Sequence, residues 1–345
     1  MSPLTTSIVL SSLATGTIIT MSSHHWIMAW VGLEMNTLAI IPIISKQHHP
    51  RSTEASTKYF LTQAAASALL LFSSSINAWK MGTWDITQMT DPHANILLTS
   101  ALAMKLGLTP MHFWLPEVLQ GSTMKTALII STWQKLAPMT LILLTANNLS
   151  TPMLLTMGVL SALTGGWGGL NQTQTRKIMA YSSIAHLGWM VTIVTTLTNI
   201  TTLALAMYLF MTTCMFSTLI LSKSKTIQDT TTSWTTSPTL VITTMFTLLS
   251  LGGLPPLSGF LPKWMILEEL ISQNLSPLAT TIAMSSLLSL FFYLRLAYTA
   301  TLTTSPNTTQ TNHKWRFKPS TSNLLLTTSS SLMTMVLPLT PILLY

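Results

Sequence analysis

Residues 105–117 read KLGLTPMHFWLPE, and residues 251–263 read LGGLPPLSGFLPK. The two stretches share a frame: Gly107, Pro110 and Pro116 return as Gly253, Pro256 and Pro262. In each, a Leu-Pro pair precedes a charge, Glu117 in the first and Lys263 in the second. Proline removes a backbone donor and clashes with the preceding turn, so each stretch is expected to kink or break its helix. In a membrane, two broken helices at matching positions point to an ion or substrate site.

The surrounding sequence supplies that membrane. The 345 residues include only 7% charged side chains, against about 25% in a soluble chain, and the mean hydropathy is +0.50. Serine and threonine are spread through the apolar runs, where a hydroxyl can bond its own helix backbone. One cysteine, Cys214, excludes disulfides, iron–sulfur ligation and cysteine zinc sites within this chain. The net charge of +8 comes from Lys and Arg in short loops, which is a topology signal and not one for nucleic acid. The first apolar run follows Met-Ser-Pro with no basic segment, so no cleavable signal peptide is expected.

Spanning helices need about 20 apolar residues, and about eleven such segments are expected. They lie near 3–22, 25–45, 57–79, 95–120, 124–146, 152–170, 177–197, 201–222, 238–270, 277–300 and 321–343. With this count Lys46, Arg51, Lys58, Lys125, Arg176, Lys177, Lys223, Lys225, Lys314, Arg316 and Lys318 fall on the side of the amino terminus. Lys80 alone falls opposite. The bias places the amino terminus on the cytosolic or matrix side and the carboxyl terminus across the membrane.

The broken segments are the fourth and the ninth, and an odd offset inverts the second relative to the first. The expected architecture is therefore all-α: two inverted five-helix halves, 1–146 and 152–300, each with a proline-broken helix, and one further helix at 321–343. A kink motif shared without functional symmetry is the alternative.

Four ionisable residues fall well inside spans: Glu34, Lys105, Lys135 and Lys263. Each costs about 2.5–3.5 kcal/mol at the bilayer centre on insertion scales. Packing alone does not justify that cost, and a proton path is the default reading. A buried amine held between desolvation and a nearby carboxylate can load and release a proton. The alternative is that opposite charges tie helices together, as Glu34 with Lys105 would, but Lys135 and Lys263 have no equally obvious acidic partner. His112 and His186 also fall in spans. Two readings stand for them: bridging the lysines through water, or satisfied core histidines. Glu117 ends the first broken segment and faces either an access path or the loop. Arg295 is expected to snorkel at a helix end. The pairs His24, His25 and His48, His49 lack a third ligand for a metal. The glycines of GGWGG, 165–169, suit close helix packing and not a nucleotide loop.

Taken together, WVGLEMNTLAIIP, HHPRSTEASTKYFLTQAAAS, AMKLGLTPMHFWLPEVLQG, TWQKLAPMT, GGWGGLNQTQTRKIMAYSSIAHLGWM and SLGGLPPLSGFLPKWMI resemble the chain 2 family of NADH–ubiquinone oxidoreductase, respiratory complex I. That family is similar to cation/proton antiporters. The resemblance covers nearly the whole chain and implies a proton-translocating module of the membrane arm, in the mitochondrial inner membrane. It implies proton-transfer roles for Glu34, Lys105, Lys135 and Lys263. It also implies that this chain carries no cofactor, since NAD, FMN, iron–sulfur clusters and ubiquinone belong to other subunits. The implied partners are neighbouring membrane-arm subunits, accessory subunits and lipids, and no nucleic acid. Longer bacterial members have three additional amino-terminal helices, so other subunits are expected to cover the first helices here. A free-standing antiporter and an inert structural subunit are the rival functions.

Overall fold

A computed structural model describes residues 2–302 and 324–344; Lys314, Arg316, Lys318 and the start of the 321–343 segment lie outside them. The described residues fold as α-helices, with no β-strand and only two isolated bridges, His25 with Asp85 and Gln174 with Thr226. Helices α1 Pro3–Ser22, α2 Trp26–Ile44 and α3 Pro50–Met81 come first. Next come α4 Pro92–Leu106, α5 Trp114–Gly121, α6 Met124–Ser131, α7 Leu136–Thr145, α8 Thr151–Gly169 and α9 Thr175–Ile193. The remainder are α10 Thr198–Ser222, the short α11 Ile227–Thr231 and α12 Ser233–Thr236, α13 Pro238–Gly252, α14 Phe260–Ser272, α15 Ser276–Leu302 and α16 Leu324–Leu344. Six stretches among the described residues, counting 124–145 as one, are long and apolar enough to cross a membrane.

The helix starts follow local chemistry. His25 caps α2 by accepting from the Ile27 amide at 3.2 Å, and His49 with Ser52 forms a capping box at the start of α3. The two histidine pairs are thus partly explained by helix starts. With Pro50 in its first turn, α3 runs 32 residues, longer than the expected 57–79 span. Arg51, expected in a loop, is consequently helical. Hydroxyls bond back along their own helices, as Thr20 does to the Thr17 carbonyl at 2.7 Å and Thr212 to the Tyr208 carbonyl at 2.8 Å.

The chain divides into two compact units, Met1–Ser161 with Met190–Thr198, and Ala162–Trp189 with Asn199–Tyr345. In the first, α1 crosses α2 where Gly16 and Gly32 meet; a Cβ on either would stand 2.9 or 2.8 Å from the other's carbonyl. Helix α3 packs on α2, α4 and α5, and α7 packs on α1 and α4. Trp26, Ile40, Tyr59, Leu70, Leu98 and Leu102 fill this core. In the second, α13 and α14 pack on α15. There the GGWGG glycines do what their spacing predicts: a Cβ on Gly165 would lie 2.6 Å from the Ala185 amide, and one on Gly169 would lie 2.7 Å from the Phe292 ring.

Arg295 does more than snorkel. Its guanidinium donates to the carbonyls of Leu170, at 2.6 Å, and Gln172, at 2.5 Å, just beyond the end of α8. A charged donor there satisfies orphan carbonyls and complements the helix dipole.

Candidate functional site: two broken helices and their lysines

Both proline stretches break their helices in the same way. Helices α4 and α13 each have 15 residues and each begin with proline. Each ends on a glycine in the left-handed region, Gly107 and Gly253, both at φ +80°. The next residue closes the turn: the Leu108 amide donates to the Ala103 carbonyl at 2.9 Å, and the Leu254 amide to the Leu249 carbonyl at 3.3 Å. This is a glycine C-cap that an ordinary residue enters only with strain. After six more residues the helices restart as α5 and α14.

In the first unit, Lys105 lies in the last turn of α4 and is 5% exposed. Its Nζ has no hydrogen-bond partner among the described residues. It lines an internal cavity together with Lys135, Asn36, Thr37, Tyr59 and Gln63. The cavity measures about 10 Å³, close to the roughly 10–15 Å³ that holds one water. Both side-chain polar atoms of Asn36 and the Gln63 amide nitrogen also lack partners. An unsatisfied buried polar group costs about 1–3 kcal/mol, a cost that a water held in this cavity would offset. Glu34 sits behind Thr37, whose hydroxyl donates to its carboxylate at 2.8 Å. No ion pair joins Glu34 to Lys105 among the described residues. Close charge pairing therefore does not explain this glutamate.

Lys135 exposes a third interruption. The segment at 124–146 is not one continuous helix: α6 ends at Ser131, a 3₁₀ turn covers Trp133–Lys135, and α7 starts at Leu136. Lys135 is 2% exposed. A 3₁₀ stretch within a span turns side chains away from the regular helical stripe. Gln134 beside it donates to the Asn36 carbonyl at 3.4 Å. His112 is buried within the first break with its ring 4.2 Å from that of Phe113, and it does not line the cavity.

In the second unit, Lys263 lies in the first turn of α14 and donates to the Gly252 carbonyl at 3.0 Å. Its ammonium also stands 5.8 Å from the centre of the Trp189 ring. His186 on α9 approaches the Tyr293 hydroxyl at 3.4 Å, and its ring lies 5.7 Å from that of Tyr208. Both tyrosines are fully buried.

Sequence reading missed Asn36, Thr37, Tyr59 and Gln63 around Lys105, and Trp189, Tyr208 and Tyr293 in the second unit. A usable signal existed: Tyr59 and Gln63 stand four residues apart, on one face of a spanning helix. Glu117, about half exposed, pairs with Lys58 at 2.6 Å.

The family model for the membrane region of NADH:quinone oxidoreductases and Mrp antiporters matches residues 23–289, and the model for the NADH dehydrogenase subunit 2 C-terminus matches 290–344. NADH-ubiquinone oxidoreductase chain 2 of Varanus melinus is 57% identical and that of Xenopus laevis 56%, each over 99% of both chains. Among solved structures, a chain of respiratory complex I from Thermus thermophilus is similar in fold. It has a TM-score of 0.89 at 24% identity, over all of this chain and 80% of that one. A chain of the Mrp complex from a Dietzia species gives 0.84 at 15% identity, over 97% of this chain and 75% of its own. Matched over residues 23–344 by the two family models together and at more than half identity by full-length relatives, this chain belongs to the NADH-ubiquinone oxidoreductase chain 2 family.

Proposed function

We propose that this chain is a proton-moving subunit of the membrane arm of respiratory complex I, with Glu34, Lys105, Lys135 and Lys263 as its relay. The observation that carries the reading is the cavity shared by Lys105 and Lys135 in the first unit. Two lysine amines lining one cavity, one protonated and one neutral, with a carboxylate behind Thr37, can pass a proton from the ammonium to the free amine without crossing oil. Broken helices supply the free backbone groups and polar room that such a path needs. His186, within 3.4 Å of the Tyr293 hydroxyl, would extend the path in the second unit; His112, buried in the first break but outside the cavity lining, would take part in the first unit only through water. Lys263 would release its proton as its bond to the Gly252 carbonyl opens.

The chain works beside other subunits of complex I, lies in the mitochondrial inner membrane, and has its amino terminus in the matrix. NADH oxidation and quinone reduction take place on those other subunits, which hold NAD, FMN, the iron–sulfur clusters and ubiquinone. Eleven spans arranged as inverted halves, 1–146 and 152–300, with 321–343 added, are the architecture of this reading. It is supported by the register of the two breaks, in which the helix starts Pro92 and Pro238 and the caps Gly107 and Gly253 all recur at one spacing.

The deciding experiment puts Lys105→Ala and Lys135→Ala into the intact complex in sealed vesicles. The expected result is normal assembly with fewer protons moved per NADH oxidised in both. Full pumping in both variants overturns the relay.

A further inference from the structure

Helix α5 has only eight residues. It follows the first break and borders the cavity that holds Lys105, yet nothing in its own length would hold it still. Its support comes from α3, along three successive contacts. Trp114 meets Tyr59 edge to face, with ring centres 5.7 Å apart. Glu117 meets Lys58 at 2.6 Å. Gly121 lies against the first turns of α3, where a Cβ would stand 2.6 Å from both the Arg51 carbonyl and the Ala55 methyl. The outer contacts are an aromatic edge and a glycine seam, and the ion pair between them is a directional tie. Lys58 also meets Glu54 at 2.5 Å, one turn back on its own helix. A single ammonium is thus shared between a carboxylate on its own helix and one on the half-helix.

From α5 the linkage reaches the relay directly. The Trp114 indole donates to the Met104 carbonyl at 3.1 Å, next to Lys105. Tyr59 and Trp114 both line the cavity with Lys105 and Lys135. A shift of α5 along α3 therefore moves the wall of that cavity and the last turn of α4.

We propose that Lys58 is a positioning residue for the proton relay: its bridge to Glu117 fixes half-helix α5, and through Trp114 sets the place of Lys105. The inference rests on the relay reading above for its functional half. The pair is solvent-accessible and adds little stability, but it bridges two segments of backbone and so acts on their relative position.

The test uses the intact complex and two readouts. Hydrogen exchange of the amides of residues 114–121 reports whether α5 is held, independently of pumping. Protons moved per NADH report the relay. With Lys58→Met, exchange in 114–121 is expected to rise about threefold or more, and pumping to fall while NADH oxidation continues. Lys58→Arg restores both, and Glu54→Gln leaves both unchanged. If Lys58→Met prevents assembly, Glu117→Gln breaks the same bond from the other side and is expected to give the same pair of changes. Unchanged exchange in 114–121 overturns the inference, as does a Glu54→Gln effect equal to that of Glu117→Gln. Raised exchange with native pumping removes the link from α5 to Lys105. Failure of the relay reading itself shows separately, as full pumping by both Lys105→Ala and Lys135→Ala.

Discussion

The two helix breaks share a backbone and differ in how they use charge. The indole of Trp114 takes the Met104 carbonyl in the first, and the ammonium of Lys263 takes the Gly252 carbonyl in the second. Lys105 therefore keeps a lysine nitrogen without a hydrogen-bond partner among the described residues, whereas Lys263 is tethered to backbone. The closing turns differ as well. Gly259, just before α14, packs onto the Ser250 carbonyl so closely that a Cβ there would collide with it. At the corresponding point before α5 stands Phe113, whose side chain is 70% exposed. The same glycine-capped break thus serves as an open mount for one lysine and as a closed clasp for the other.

The sharpest way to break this comparison is Gly259→Ala. The added methyl must displace the Ser250 carbonyl and with it the end of α13, at a cost of about 3 kcal/mol or more. The expected outcome is loss of assembled complex on native gels, with Phe113→Ala as the matched change that leaves assembly intact. Equal assembly in both would mean that the second turn is no tighter than the first.

A smaller effect separates the two lysines by stability. Removing Lys263 with methionine leaves the Gly252 carbonyl unpaired and loses a charged hydrogen bond of about 1.5–3 kcal/mol. Lys105→Met removes no such bond and buries an apolar group in place of an unsatisfied one. The melting temperature of the complex is expected to fall for Lys263→Met and to hold or rise for Lys105→Met. Equal melting shifts would contradict the difference.

The smallest effect lies at the helix starts. Asp91 caps α4 by accepting from the Ala94 amide at 3.0 Å, while Ser237, at the same place before α13, makes no capping bond. The Lys80 ammonium donating to Asp91 at 2.7 Å holds its carboxyl below the usual carboxylate range. A depressed folded value means that the cap stabilises fully above the unfolded value of about 3.9 and is lost as pH falls through the folded one. Hydrogen exchange at 92–95 should therefore accelerate below about pH 4, with no matching change at 238–241. Parallel acceleration at both starts would show that Asp91 is not what distinguishes them.

Much of the fold could be read from residue order. Gly107 and Gly253 marked the two breaks because only glycine enters that conformation cheaply, and glycine with proline is strong local punctuation. GGWGG marked a close packing seam for a similarly local reason. The interruption at Trp133–Lys135 was not legible, because no glycine accompanies it and Pro138 falls only after α7 has restarted. Nor was the start of α3 at Pro50, since a histidine is an uncommon cap and the charges of Arg51 and Glu54 looked like loop. Glu117 was ambiguous because its partner lies 59 positions away on another helix.

Sequence alone determined that this chain is a membrane-embedded bundle of helices with ionisable groups at depth and two matched breaks. Hydropathy, proline and glycine act through neighbouring residues, and their consequences are local. Only tertiary structure decided that Lys105 and Lys135 line one cavity, that Lys263 bonds a carbonyl of the preceding half-helix, and that Lys58 ties α3 to α5. Those outcomes depend on which helix faces meet, and the facing residues come from segments whose spacing along the chain carries no record of their contact.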